Sequence, residues 1–186
     1  MNIIRICAAA VCPLYLFTAC SILPVPDSTP VSYYDIGFPE KPYSGVPPLK
    51  INAFSGSVGN ETKMVFRTGP NKISIDIYNQ WSQSPSNLLH RYFILAFSGS
   101  ETAPKYIIDG KILRFEGDLD AMQADIMIRV IVKNAADSKV VLNSVIEGSA
   151  PFKTKSASAF AEATGTAIAD ITRKLAEQIK ALKKSK

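Results

Sequence analysis

His90 is the single histidine of the sequence and sits beside Arg91. An imidazole can serve as a general base, but it then needs a nucleophile, and no serine context or mature cysteine stands ready to pair with it. We therefore read His90 as a structural, partly exposed residue. Glu116, Asp118 and Asp120 alternate along one stretch, so a strand there places three carboxylates on one face. Such a set can hold a hard cation, yet the solvated face of an amphipathic strand is the simpler account. Gly56-Ser57-Val58-Gly59 lacks the Gly-Lys-Ser/Thr that completes a phosphate loop, and reads as a turn. Lys183, Lys184 and Lys186 form a basic tail, expected to be solvated, that could also touch anionic lipid or an acidic partner. From these residues we expect no catalytic set, no cofactor and no metal, and hence no enzyme.

The cysteines carry a more specific signal. Arg5 gives a short positive start, Ile6 to Phe17 a short apolar run, and Phe17-Thr18-Ala19-Cys20 a small-residue cleavage site that ends in cysteine. This is the pattern of a secretory signal peptide, too short to span a bilayer. It resembles a bacterial lipobox, with Phe17 in the usual place of Leu. The resemblance implies cleavage before Cys20 and attachment of diacylglycerol to its thiol. Cys12 follows the bulky Val11 and is the poorer site. Cys7 and Cys12 would leave with residues 1–19, so the mature chain would keep only an acylated Cys20 and no disulfide or thiolate metal site. Ser21 stands where lipoproteins retained at the inner membrane commonly carry Asp. By that resemblance the destination is the outer membrane, with the domain facing the periplasm.

Composition bounds the rest. The chain has 186 residues, 47% of them hydrophobic, enough for one domain with a core. Its net charge of +5 suggests nucleic acid only until the charges are located. Without the leader, 20 basic residues stand against 16 acidic ones, and six of the basic with one acidic fall between Arg173 and Lys186. The remaining body is nearly neutral and lacks the basic face that phosphate binding requires.

The candidate residues need elements to hold them. Residues 20–32 contain Pro24, Pro26 and Pro30 among small polar residues, an extended tether able to reach roughly 35 Å. Phe38 to Pro48 is a Pro-rich loop, followed by a strand with Leu49, Ile51 and Ala53 on one side. Met64 to Arg67 joins through Thr68-Gly69-Pro70-Asn71 to a strand in which Ile73, Ile75 and Ile77 alternate with Ser74, Asp76 and Tyr78. That alternation predicts a buried isoleucine face. Ser84 caps and Pro85 opens a helix whose apolar face holds Leu88, Leu89, Tyr92, Phe93, Leu95 and Ala96, with Ser98-Gly99 as its stop. Lys105 to Asp109 is a short strand turned by Asp109-Gly110, and Leu113, Phe115 and Leu119 mark the inner side of the next. Ile126, Ile128, Val130 and Val132 lie on one face of an interior strand, with Val140 to Ile146 as its hairpin partner. Ser156 or Ser158 caps a last helix with Ile168, Ile171, Leu175, Ile179 and Leu182 on one face, where Gly165 and neighbouring alanines allow close approach to the sheet. The fold class is α/β, a single domain with a mixed, largely antiparallel sheet packed with two principal helices.

Within this order, Tyr78, Trp81, Ser84-Pro85 and the pair Leu88-Leu89 form a recurring signature. Residues 33–186 thereby resemble the ABC-type transport auxiliary lipoproteins, in which a basic residue often stands where this chain has Gln80. The resemblance takes Tyr33 to Gly37 as the opening strand. It implies a non-enzymatic outer-membrane lipoprotein that serves an ABC-type system moving lipids or other hydrophobic compounds between membranes. The implied partners are a periplasmic MCE-domain protein, the outer membrane through the N-terminal lipid, and further copies of the chain. Tyr78, Trp81, Pro85, Leu88 and Leu89 would then be structural. A lipid-binding carrier with its own cargo cavity is the alternative.

Overall fold

The computed structural model describes residues 29–56, 61–98 and 103–184, and divides the chain into two units, Met1–Pro30 and Val31–Lys186. Cys20 and the leader lie outside the described residues, as do Ser57–Gly59 and Gly99. The second unit contains strands β1 (Ser32–Tyr34), β2 (Leu49–Ile51), β3 (Ser55–Gly56), β4 (Lys63–Thr68) and β5 (Lys72–Trp81). Helix α1 (Pro85–Phe97), strands β6 (Tyr106–Asp118), β7 (Gln123–Asn134) and β8 (Val140–Pro151), and helix α2 (Ala157–Lys184) complete it.

All strands join one mixed sheet in the order β1-β5-β4-β6-β7-β8, with β2 and β3 sharing the β4 side of β6. The β4/β5, β6/β7 and β7/β8 ladders are antiparallel and hold most of the pairing, whereas the β1/β5, β2/β6, β3/β6 and β4/β6 contacts are short and parallel. The α/β class with two helices is as the sequence predicts. On β7, Ala124, Ile126, Ile128, Val130 and Val132 are buried, while Met127 and Ile131 on the opposite face are half-buried. Ile171, Leu175 and Ile179 bring α2 onto the buried face, and Phe93 of α1 packs edge-on against Phe54 there, with ring centroids 4.9 Å apart. Both helices thus cover one face and leave the other to solvent.

The close approach of α2 depends on two glycines. A Cβ on Gly148 of β8 would collide with the carbonyl oxygen of Ala167, so the helix backbone rests directly on that strand. Gly165 instead faces the carbonyl oxygen of Ile36, in the segment after β1, and not the sheet as its position suggests. Ser156 is the cap of α2, its Oγ accepting from the Ala159 amide at 3.2 Å. Ser84 does the same for α1, accepting from Asn87 at 3.4 Å.

Four expectations change. Asp109-Gly110 is no turn, because β6 runs through it and pairs with β7 from Tyr106 to Asp118, with an irregularity between Ile112 and Arg114. Gly110 is there to admit the Phe54 ring, which any Cβ would displace. Leu113, at that irregularity, is exposed, and Leu95 lies on the outer side of α1. The largest change concerns β5, where Ile73, Ile75 and Ile77 are 53%, 53% and 57% exposed. The period-2 pattern is real, but its isoleucines lie on the face away from the helices. Ile73 and Ile75 stand opposite Arg67 and Val65 of β4, whereas Ser74 and Asp76 stand opposite Phe66 and the buried Met64, so the isoleucine face has nothing to bury against.

Apart from Trp81, what the strand half-buries is polar: Asp76, Asn79 and Gln80. Pairing passes from Met64↔Asp76 to Lys63↔Gln80, so Ile77, Tyr78 and Asn79 bulge out of the ladder. Asp76 holds this bulge: its Oδ1 accepts from the amides of Tyr78 and Asn79, both at 2.9 Å, and its Oδ2 accepts from Asn79 Nδ2 at 2.8 Å. Partial burial pushes the Asp76 carboxyl up, but these hydrogen bonds outweigh it and hold the group below its ordinary range. We expect Ile75→Asp to shift the melting temperature by no more than a degree or two. Asp76→Ala should cost about 1–3 kcal/mol, roughly 2–10 °C for a domain of this size. A depressed native carboxylate stabilises above its unfolded pKa and ceases to do so as pH falls through the native value. The Asp76→Ala deficit should therefore shrink below about pH 4, as thermal unfolding across pH would record.

Candidate functional site

The exposed isoleucines do not stand alone. Beside β5 lies β1, paired in parallel through Ser32↔Asn79, Tyr33↔Gln80 and Tyr34↔Trp81. Tyr33 is 65% exposed, Val31 precedes it on the same side of the strand, and Tyr78 crests the bulge with 47% of its surface open. Val31, Tyr33, Ile73, Ile75, Ile77 and Tyr78 therefore place half of the large exposed apolar side chains among the described residues at one corner of the sheet. Isolated exposed hydrophobes are ordinary, but clustering of this kind marks an interaction surface.

A second feature lies across the domain. The loop from Asp35 to Ser44 stands off α2 and leaves an open groove of about 850 Å³ lined by Tyr34, Phe38, Pro42, Tyr43, Tyr92 and Gly165 among others, with Lys41, Glu40, Glu162 and Lys180 at its walls. One end is locked by Asp35, which accepts from Arg91 at 2.6 Å, from Ser82 Oγ at 2.8 Å and from the Gly37 amide at 2.8 Å. Burial raises the Asp35 carboxyl, and these donors more than reverse it, leaving a lowered pKa. Arg91 also stacks on Phe38, its guanidinium 4.8 Å from the ring centroid. The Tyr43 hydroxyl donates to the Ala169 carbonyl at 3.3 Å, and burial raises the phenol pKa of both Tyr43 and Tyr92.

The signature residues separate into two groups. Trp81, Pro85, Leu88 and Leu89 are buried, and Trp81 lies edge-on to Phe115 with centroids 5.5 Å apart and tilted on Phe160 at 5.4 Å. Tyr78 alone faces solvent. The strand–turn–helix signature thus builds core with four residues and surface with one. Trp81→Ala should cost about 3–5 kcal/mol through the cavity it leaves, whereas Tyr78→Ala should change stability by less than about 1 kcal/mol. Chemical denaturation of the two variants would distinguish them.

The residues weighed for chemistry are occupied structurally. His90 is half-buried, with Nε2 3.2 Å from the Ile51 carbonyl oxygen. Glu116 is buried and held by Arg67 at 2.6 and 3.0 Å, with Arg114 at 3.5 Å. Asp118 accepts from the amides of Asp120 and Ala121, and Asp120 from the Gly69 amide, so these two carboxylates tie turns together. Among the described residues no three His, Cys, Asp or Glu side chains gather into a metal-binding group, and no helix is long and apolar enough to cross a membrane. Sequence reasoning missed the apolar corner because period-2 alternation reports that one face is apolar and not whether anything covers it.

The fold and this surface define a single α/β domain with one helix-covered sheet face, and the same architecture occurs among solved structures. Protein XCC0632 from Xanthomonas campestris, of the DUF330 family, aligns with a TM-score of 0.73 at 18% identity, over 83% of this chain and 98% of the other. An uncharacterized protein aligns with a TM-score of 0.66 at 11% identity, over 81% of this chain and 99% of the other. At such identities the likeness is one of fold. No family model and no curated protein matches the sequence.

Proposed function

We propose that this chain is a lipid-anchored, non-enzymatic auxiliary protein of an ABC-type system that moves lipids or other hydrophobic compounds between two membranes. In this reading Cys20 carries the lipid, residues 20–32 are the tether, and the domain works from the periplasmic face of the outer membrane by docking an MCE-domain protein. The observation that carries the reading is the apolar corner of β1 and β5, a surface suited to contact. The carboxylates considered for chemistry, by contrast, are spent on holding the fold. The lipobox-like stretch ending in Cys20 and the signature from Tyr78 to Leu89 support the anchor and the family resemblance respectively.

A second reading rests on the groove between the Asp35–Ser44 loop and α2, whose aromatic and proline walls suit a carrier that holds lipid itself. The two readings part on what comes away with the protein. Affinity purification of the full chain from membranes should recover an MCE-domain protein if it is an auxiliary subunit. Stoichiometric phospholipid, lost on Phe38→Asp in the exposed wall of the groove, would instead support the carrier.

Position should also matter more than any single polar side chain. Ser21→Asp, which would retain the protein at the inner membrane, should abolish protection of the outer-membrane barrier against detergent while leaving abundance unchanged. His90→Ala and Asp118→Ala should protect as wild type wherever they fold. Labelled palmitate should enter the wild type and not Cys20→Ala. Inactivation by His90→Ala in a stable protein, with Ser21→Asp fully active, would overturn the reading.

A further inference from the structure

The free edge of β5 has a defined extent. Among the described residues β1 covers only Asn79, Gln80 and Trp81, and the bulge takes Ile77, Tyr78 and Asn79 out of the flat ladder. What remains is Lys72 to Asp76, five residues between the hairpin turn and the bulge, with Ser74 at the midpoint. The unpaired N–H and C=O groups of such an edge are a template for another strand.

The side chains select which strand. If a second copy of the segment lies antiparallel to the first about a two-fold axis through Ser74, Ile73 of each copy falls opposite Ile75 of the other, on the exposed face. The same register sets Lys72 opposite Asp76 on the other face. Cross-strand pairing of like aliphatic residues and of opposite charges is what stabilises an antiparallel ladder. Asp76 retains an acceptor position, since three bonds occupy the roughly four lone-pair sites of a carboxylate. No ion pair is formed by Lys72 within the chain among those found in the described residues, while the other cation near the segment, Arg67, is engaged by Glu116. The segment is complementary to itself in length, polarity and charge.

We propose that the Lys72–Asp76 edge of β5 is a homodimer site, at which two copies join their sheets antiparallel about Ser74. Five residues of strand with two isoleucines per copy make a contact smaller than a standard specific interface, so it is a weak one. Its affinity is therefore modest, and a lipid anchor that confines copies to one surface raises their effective concentration. The segment belongs to the apolar corner that carries the proposed function, so the inference rests on reading that corner as a contact surface and assigns its Lys72–Asp76 edge to a second copy. Recovery of an MCE-domain protein tests the transport role separately.

The test uses the full-length protein in membranes. Opposed Cα atoms in an antiparallel pair are about 4.5–5.5 Å apart, within the span of a disulfide. Mild oxidation of Ser74→Cys should convert most of the protein to a species of twice the mass. Ile77→Cys, three residues off the axis and so roughly 20 Å from its mate, should stay monomeric. Ile75→Asp added to Ser74→Cys should reduce the cross-linked fraction at least tenfold. The wild-type control reads the anchor separately, because a free Cys20 would itself be open to oxidation. Equal cross-linking of Ser74→Cys and Ile77→Cys, or a Ser74→Cys protein that stays monomeric or links only to a different protein, overturns the proposal.

Discussion

The contact of Trp81 with Phe160 is the constraint on which this fold depends. Their rings lie 5.4 Å apart, both side chains are essentially fully buried, and they belong to β5 and α2, which are separated by most of the domain. Phe160 also meets Phe66 of β4 at 4.9 Å and Phe152 at 6.1 Å, while Trp81 meets Phe115 of β6. One aromatic cluster thereby fastens the long helix to the strands on either side of the β4/β6 junction. It does so where the sheet itself is weakest, because β4 and β6 pair in parallel only through Phe66↔Gly117 and Arg67↔Asp118. A Cβ at Gly117 would meet the rings of Phe66 and Phe160, so the strand makes room for the cluster at that junction. On the opposite face the same junction is bridged by Arg67 and Glu116.

The two ends of β5 follow from this arrangement. At Trp81 the strand is pinned beneath α2 and the polypeptide turns into α1, whose Pro85, Leu88 and Leu89 continue the core. Nearer Lys72, Ile73 and Ile75 lie on the face away from the helices, opposite Arg67 and Val65, and are uncovered. The bulge at Ile77–Asn79 separates these regimes, absorbing three residues and letting Trp81 reach the core while Ile75 stays in solvent. A buried anchor and an exposed strand are thus two consequences of one inversion of the alternation at the bulge.

Much of the architecture is legible in the chain because its determinants are local. Ser84-Pro85 predicts the start of α1, Ser156 caps α2, and the run from Ile126 to Val132 identifies an interior strand with its inner face correctly assigned. The errors are all cases where a residue's partner lies far away in sequence. Gly110 reads as a turn because Phe54, the ring that needs the space, is distant. Asp76 reads as a solvent-facing residue because a bulge set by the pairing of β4 turns it into a cap for two amides. Ile75 reads as core because an alternating pattern does not state which face of the sheet the helices cover.

The same reasoning bears on the surface. Evolution of a solitary domain would remove three isoleucines from an exposed strand, since each costs solubility and invites edge-to-edge aggregation. Here Lys72 at one end and the Asp76-held bulge at the other confine the exposed flat edge to five residues. Those devices limit open-ended strand addition while leaving a short segment able to pair once. An edge that is bounded on both sides and apolar in the middle is what a small, saturable contact requires, and a merely neglected edge would have no reason to be bounded.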